Sequence, residues 1–208
     1  SIANLRVAKY YWDNNIFNLT DSNIKESIMD FKKCIELEES EMHYLFLSKA
    51  RNFFSNFSYY NYLTYPLDWA EVLNKYPYSA SLFVEYCIEQ YNELEEEYYS
   101  LDMLESEEAI LNTKNRIANL KNKYFLNINK AMGLSQKNSM IYFLNGKGIL
   151  NFKKYEDDFL NNMEALENFN KSIFIDETFT SAYVKRAKLY IKLKKTDLAF
   201  NDFENAFN

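Results

Sequence analysis

Glycine, proline, histidine and cysteine are all scarce in this chain: its 208 residues include three Gly, two Pro, one His and two Cys. Tight hairpins need glycine for positive φ and proline for punctuation, so β architecture with many turns has little to be built from. The same shortage of glycine excludes a phosphate-cradling loop. Cys34 and Cys87 match no metal-ligand or disulfide spacing, which fits a reducing compartment. His43, alone of its kind, would have to serve any Ser–His or Cys–His relay, and its sequence neighbours offer no third member. Carboxylates are plentiful but fall on solvated faces away from His or Cys, unlike a metal site. The chain therefore reads as a protein with no catalytic residue, metal or cofactor, and not as an enzyme.

Long apolar runs are missing too. No segment approaches the roughly 18 uninterrupted apolar residues of a membrane span, and Arg6, Lys9 and Asp13 break up the first twenty residues, so neither anchor nor signal peptide is visible. The chain opens on Ser1 instead of Met, which allows for a removed upstream segment; localisation stays open, with a lean toward the cytoplasm. Positive charge is in deficit, at 24 Lys and Arg against 30 Asp and Glu, and no basic cluster appears, so nucleic acid is not the expected partner. What remains is 48% hydrophobic and 26% charged, the composition of a soluble, folded, all-helical chain.

Small and aromatic residues recur in that chain at helical spacing. Tyr183, Ala187 and Tyr190 share one face of a helix, and Ala199, Phe203 and Ala206 share the facing side of the next. Backbones approach closely only where small residues sit at the crossing and aromatics fill the flanking gaps. Upstream, Tyr142, Gly146 and Ile149 repeat the first set, and Ala165, Phe169 and Ser172 the second, with two extra helical turns between the halves. That second helix is expected to start at Asp157 or Asp158, with Phe159, Asn162, Leu166, Phe169 and Ile173 on one face. From Val72, Ala131 and Ser172 the next helix is expected eight residues on, at Ala80, Ser139 and Thr180.

The order of these positions resembles the tetratricopeptide repeat, whose period is about 34 residues. The resemblance implies an all-α, right-handed α-solenoid of antiparallel helix pairs, one domain over 1–208 with units at about 8–40, 42–77, 79–137, 138–178 and 179–208. The family's Trp-x-x-Leu-Gly cluster survives only as Tyr142, Asn145 and Gly146, and its exit proline only as Pro77. The first unit pairs Tyr11 and Asn15 with Ser27, Phe31 and Cys34; the second opens on His43, Phe46, Ala50 and Phe53 and continues from Pro66 through Trp69 and Val72. The third is too long for one repeat. Asp102 and Glu105 suggest a helix start, Ile110, Ile117, Tyr124 and Ala131 recur every seven residues opposite Leu94, Tyr98 and Leu101, and a glutamate-rich tip is expected to project.

First helices of such a stack line its concave side. Residues one and five positions after each signature aromatic should face it: Trp12 and Ile16, Leu47 and Arg51, Val84 and Ile88, Phe143 and Lys147, Val184 and Lys188. This mixed apolar and basic groove suits an amphipathic helix or a carboxylate-bearing peptide. The Lys and Asn pair with which cochaperones of the family hold a C-terminal carboxylate is replaced by Trp12 and Ile16, which disfavours that ligand. The resemblance thus implies a protein-interaction module or assembly scaffold. The rival reading is a small-ligand or glycan binder using the groove and the aromatic loop at Phe53, Phe54, Phe57, Tyr59, Tyr60, Tyr62 and Tyr65. Phe203, Ala206 and Phe207 leave the last helix with an apolar face, which suggests pairing with another molecule, as in a homo-oligomer, or continuation of the chain.

Overall fold

The computed structural model describes residues 21–55, 67–153 and 158–207, and all regular structure among them is helical. The helices are α1 (Asp21–Leu37), α2 (Glu41–Ser55), α3 (Trp69–Lys75), α4 (Ala80–Leu101), α5 (Glu107–Leu134), α6 (Ser139–Phe152), α7 (Asp158–Ile175), α8 (Thr180–Lys192) and α9 (Thr196–Phe207). Two compact units divide between Glu89 and Gln90, within α4. Tyr11, Asn15 and the loop aromatics from Phe57 to Tyr65 lie outside the described residues.

Helices α4, α6 and α8 begin at Ala80, Ser139 and Thr180, the residues that the eight-residue offset selects. Polar side chains fix two of these starts by accepting from otherwise unpaired N–H groups. Ser79 Oγ accepts from the Leu82 N–H at 3.2 Å, and Asn138 Oδ1 from the Met140 N–H at 3.1 Å. Before α8, the Asp176 carboxylate takes the Thr178 N–H and hydroxyl instead, shaping the turn that leads in.

In the first unit α1 packs on α2 through Ile28, Phe31, Leu47 and Ala50. A second cluster joins Tyr44, Trp69, Val72 and Leu82. Glu39, just before α2, ties this end down by accepting from the Tyr44 hydroxyl and from Lys75 at the end of α3.

In the second unit each helix packs on its neighbour in chain order, and the contacts run antiparallel. Asn127 pairs with Gln90 and Arg116 with Glu97 across α4 and α5. At one end of α6 and α7 Ser172 Oγ donates to the Ser139 carbonyl at 2.9 Å, and at the other Asn161 donates to the Lys153 carbonyl at 2.7 Å. Phe143, Ile149, Ala165, Leu166, Phe169 and Ile173 form the shared core, continued by Ala182 and Leu189 of α8. Two glycines set the spacing. A Cβ on Gly146 would stand 2.7 Å from the Phe169 ring, and one on Gly148 2.4 Å from the Tyr124 ring.

Several expected boundaries move. Helix α5 starts after Ser106, whose hydroxyl accepts from Ala109 N–H, and not at Asp102 with Glu105; residues 102–103 are in a turn. Helix α3 starts after Asp68, whose carboxylate takes the Ala70 and Glu71 N–H groups; Pro66, expected at its first turn, lies outside the described residues. Phe159 is exposed and leaves the face formed by Asn162, Leu166, Phe169 and Ile173. Of the seven-residue series, Ile117, Tyr124 and Ala131 are buried while Ile110, near the solvent end of α5, is only half-buried.

Substituting Gly148 by Ala tests the close crossing. Tyr124 is fully buried and its hydroxyl donates to the Leu144 carbonyl at 2.6 Å, so the ring has no room to retreat. Despite the better helix propensity of Ala, overpacking should cost about 1–3 kcal/mol in urea unfolding. An unchanged midpoint would show that the two backbones do not need this gap.

Candidate functional site

The expected groove residues fall into two environments. Trp12 and Ile16 lie outside the described residues. In the first unit the inward face of α2 is Tyr44, Leu47, Ser48, Ala50 and Arg51, so Leu47 is in the core and Arg51 is buried. The Arg51 guanidinium forks onto Glu89, with Nη1 and Nη2 at 3.2 and 3.1 Å from its two oxygens, and Trp69 Nε1 donates to the same carboxylate at 2.9 Å. Beside it, Asn52 donates to Glu85 at 2.8 Å, while burial pushes the Glu85 carboxyl above its usual range. Val84 is buried and Ile88 half-buried on α4.

In the second unit Phe143 is likewise buried, in the core of α6 and α7, while Lys147, Val184 and Lys188 reach solvent in part or wholly. Phe143 of α6 packs on Phe179 ahead of α8, with centroids 5.0 Å apart. One turn on, Lys147 is half-buried, its Nζ 3.8 Å from the centroid of Tyr91 and 5.7 Å from that of Phe143. Tyr91 is locked beneath it: its hydroxyl donates to Glu95 at 2.7 Å, and Asn151 donates to Glu95 at 3.2 Å. Burial draws the Lys147 ammonium below the usual lysine range; the Glu95 charge opposes this and the Lys185 charge adds to it. On α8, Val184 and Lys185 are half-buried and Lys188 is exposed.

Spacing from the signature aromatics did not point to Lys185 and Glu95, which act on Lys147 from α8 and α4. The cation of Lys147 rests on the electron-rich face of an aromatic ring, an arrangement that strengthens when water is excluded.

Groups singled out for chemistry are placed as follows. His43 Nδ1 lies 2.6 Å from the Glu38 carbonyl; that oxygen only accepts, so the proton sits on Nδ1. Cys34 and Cys87 are free and buried, and burial pushes the Cys87 thiol far up. Among the described residues no three His, Cys, Asp or Glu side chains gather as a metal site, and no helix is long and apolar enough to cross a membrane.

No family model and no curated protein matches the sequence. Among solved structures, the chain is similar to TTC0263, a thermophilic TPR protein of Thermus thermophilus, with a TM-score of 0.66 and 9% identity over 98% of this chain and 88% of that one. This likeness shows the fold, an all-α solenoid of tetratricopeptide type. Looser matches are MamA, with a TM-score of 0.47 and 17% identity over 89% of this chain and 88% of that one, and a human IFIT1 dimer with PPP-AAAA, at 0.48 and 14% over 92% and 48%.

The setting of Lys147 has a measurable signature. In an NMR titration of methyl-labelled lysines, Lys147 should lose its proton below the usual lysine range, and Glu95→Gln should lower that point further by removing the opposing charge. Titration at the ordinary lysine value would mean that the ammonium is fully hydrated.

Proposed function

We propose that this chain is a non-catalytic protein-interaction scaffold that holds a peptide or helix of a partner protein against the first helices of its repeats. The contact in the second unit is formed by Lys147, Val184 and Lys188, over the buried Phe143, with Lys185 on the same helix as Val184. Leu47, Arg51 and Val84, buried within the first unit, take no part in it. One observation supports the reading: the half-buried Lys147 holds its ammonium 3.8 Å from the centroid of the Tyr91 ring, beside the half-buried Val184 and the exposed Lys188 expected on the same face of the repeats. A carboxylate delivered by a ligand would pair with the Lys147 and Lys188 ammonium groups while the ligand's apolar side chains covered Val184.

The fold supports an interaction role by its form, since a stack of helix pairs offers extended surface. The identity of the ligand comes from the charge pattern. Acidic peptides with a few interspersed apolar residues should bind, and fluorescence anisotropy would follow them. Lys147→Ala and Lys188→Glu should each weaken binding about tenfold, which corresponds to about 1.4 kcal/mol. Affinity indifferent to both substitutions would remove the peptide from this surface.

A further inference from the structure

Helices α2 and α4 are joined in the first unit through two carboxylates one turn apart on α4, Glu85 and Glu89, and the two are satisfied very differently. Glu89 receives both Nη groups of Arg51 and the Trp69 indole N–H. Glu85 is 6% exposed, and its carboxylate accepts one hydrogen bond, from the neutral Asn52 amide at 2.8 Å. Arg51 gives it none, because both Nη groups are committed to Glu89 and the buried Nε has no partner.

A carboxylate taken out of water must recover its lost hydration from cations or from several N–H donors. Around Glu85, α2 supplies Lys49, Arg51 and Asn52, and of these the half-buried Lys49 acts through its charge without a hydrogen bond. Helix α3 contributes the Trp69 indole, which is uncharged and bonded to Glu89. On α4 itself the nearest charge is Glu89, already matched by Arg51. Burial outweighs the help from Asn52 and Lys49, and the Glu85 carboxyl is held above its usual range.

We infer that Glu85 is a proton-operated tie between α2 and α4: the packed joint holds it as the neutral acid, and its ionisation admits water and loosens the two helices. In an unfolded chain glutamate ionises near pH 4.3, to within about half a unit. Above that value the packed joint keeps a proton that the unfolded chain has released, so the stability of the unit falls as pH rises, until Glu85 ionises in the folded state as well. A carboxylate held by an ion pair behaves in the opposite way, losing its contribution in acid. The device lies within the first unit and is independent of the lysine surface proposed above.

Glu85→Gln keeps the shape of the side chain and has no proton to lose. Urea unfolding followed by tryptophan emission reports this unit, since both tryptophans of the chain, Trp12 and Trp69, precede Gln90. As pH rises from about 4.5 to about 8, the wild-type midpoint should fall relative to that of Glu85→Gln. In wild-type protein labelled with carbon-13 at glutamate Cδ, Glu85 should titrate above the usual carboxyl range, and Lys49→Gln should move it higher still. Amides of residues 49–52 should exchange faster, relative to their intrinsic rates, once pH passes that titration point. Midpoints that run parallel at every pH overturn the inference, as does a Glu85 that titrates at the ordinary carboxyl value or amide protection that is indifferent to its ionisation.

Discussion

The second unit depends on how nearly two helix backbones approach where they cross. Gly146 under Phe169 and Gly148 under Tyr124 leave less than a methyl group of room, and Ser172 bonds the Ser139 carbonyl directly. At such separations the interior is packed to crystal density, so each aromatic ring fills the one gap its neighbours leave. Tyr91, Tyr124 and Phe152 meet in one such place, with centroids between 5.0 and 6.1 Å apart. The rigidity of the Tyr91 ring there is what gives Lys147 a fixed surface to rest on.

Buried polar groups add direction to this packing. Asn145 donates to Asn168 at 3.0 Å across α6 and α7, in the position where the tetratricopeptide pattern places leucine. In the first unit, an Arg51–Glu89 ion pair and the Trp69 indole that donates to the same carboxylate join α2, α3 and α4. These pairings hold in one arrangement of the helices, with only the Arg51 Nε left buried without a partner among the described residues, so sliding by a residue would strand further charge or amide in the core. Hydrophobic packing tolerates small shifts better than these pairs do.

The surface proposed for a partner lies on first helices, where Lys147 rests half-buried over the Tyr91 ring. It carries fixed charge next to apolar area, which favours a ligand of matched sign over unselective adhesion.

The sequence by itself determined the helices and their pairing. Small and aromatic residues at the crossings are a local code, read from spacing alone, and the starts at Ala80, Ser139 and Thr180 follow from it. It was weaker where capping competes, as at Ser106 and Asp68, because several polar residues in a row can each serve as cap and packing chooses between them. Which groove positions are accessible was decided only in three dimensions. Leu47 and Arg51 turn inward because the buried face of α2 includes them, and Tyr91, Glu95 and Lys185 assemble around Lys147 from helices far apart in the chain. Periodicity reports which residues share a face of one helix; only the neighbours laid against that face decide whether it meets protein or water.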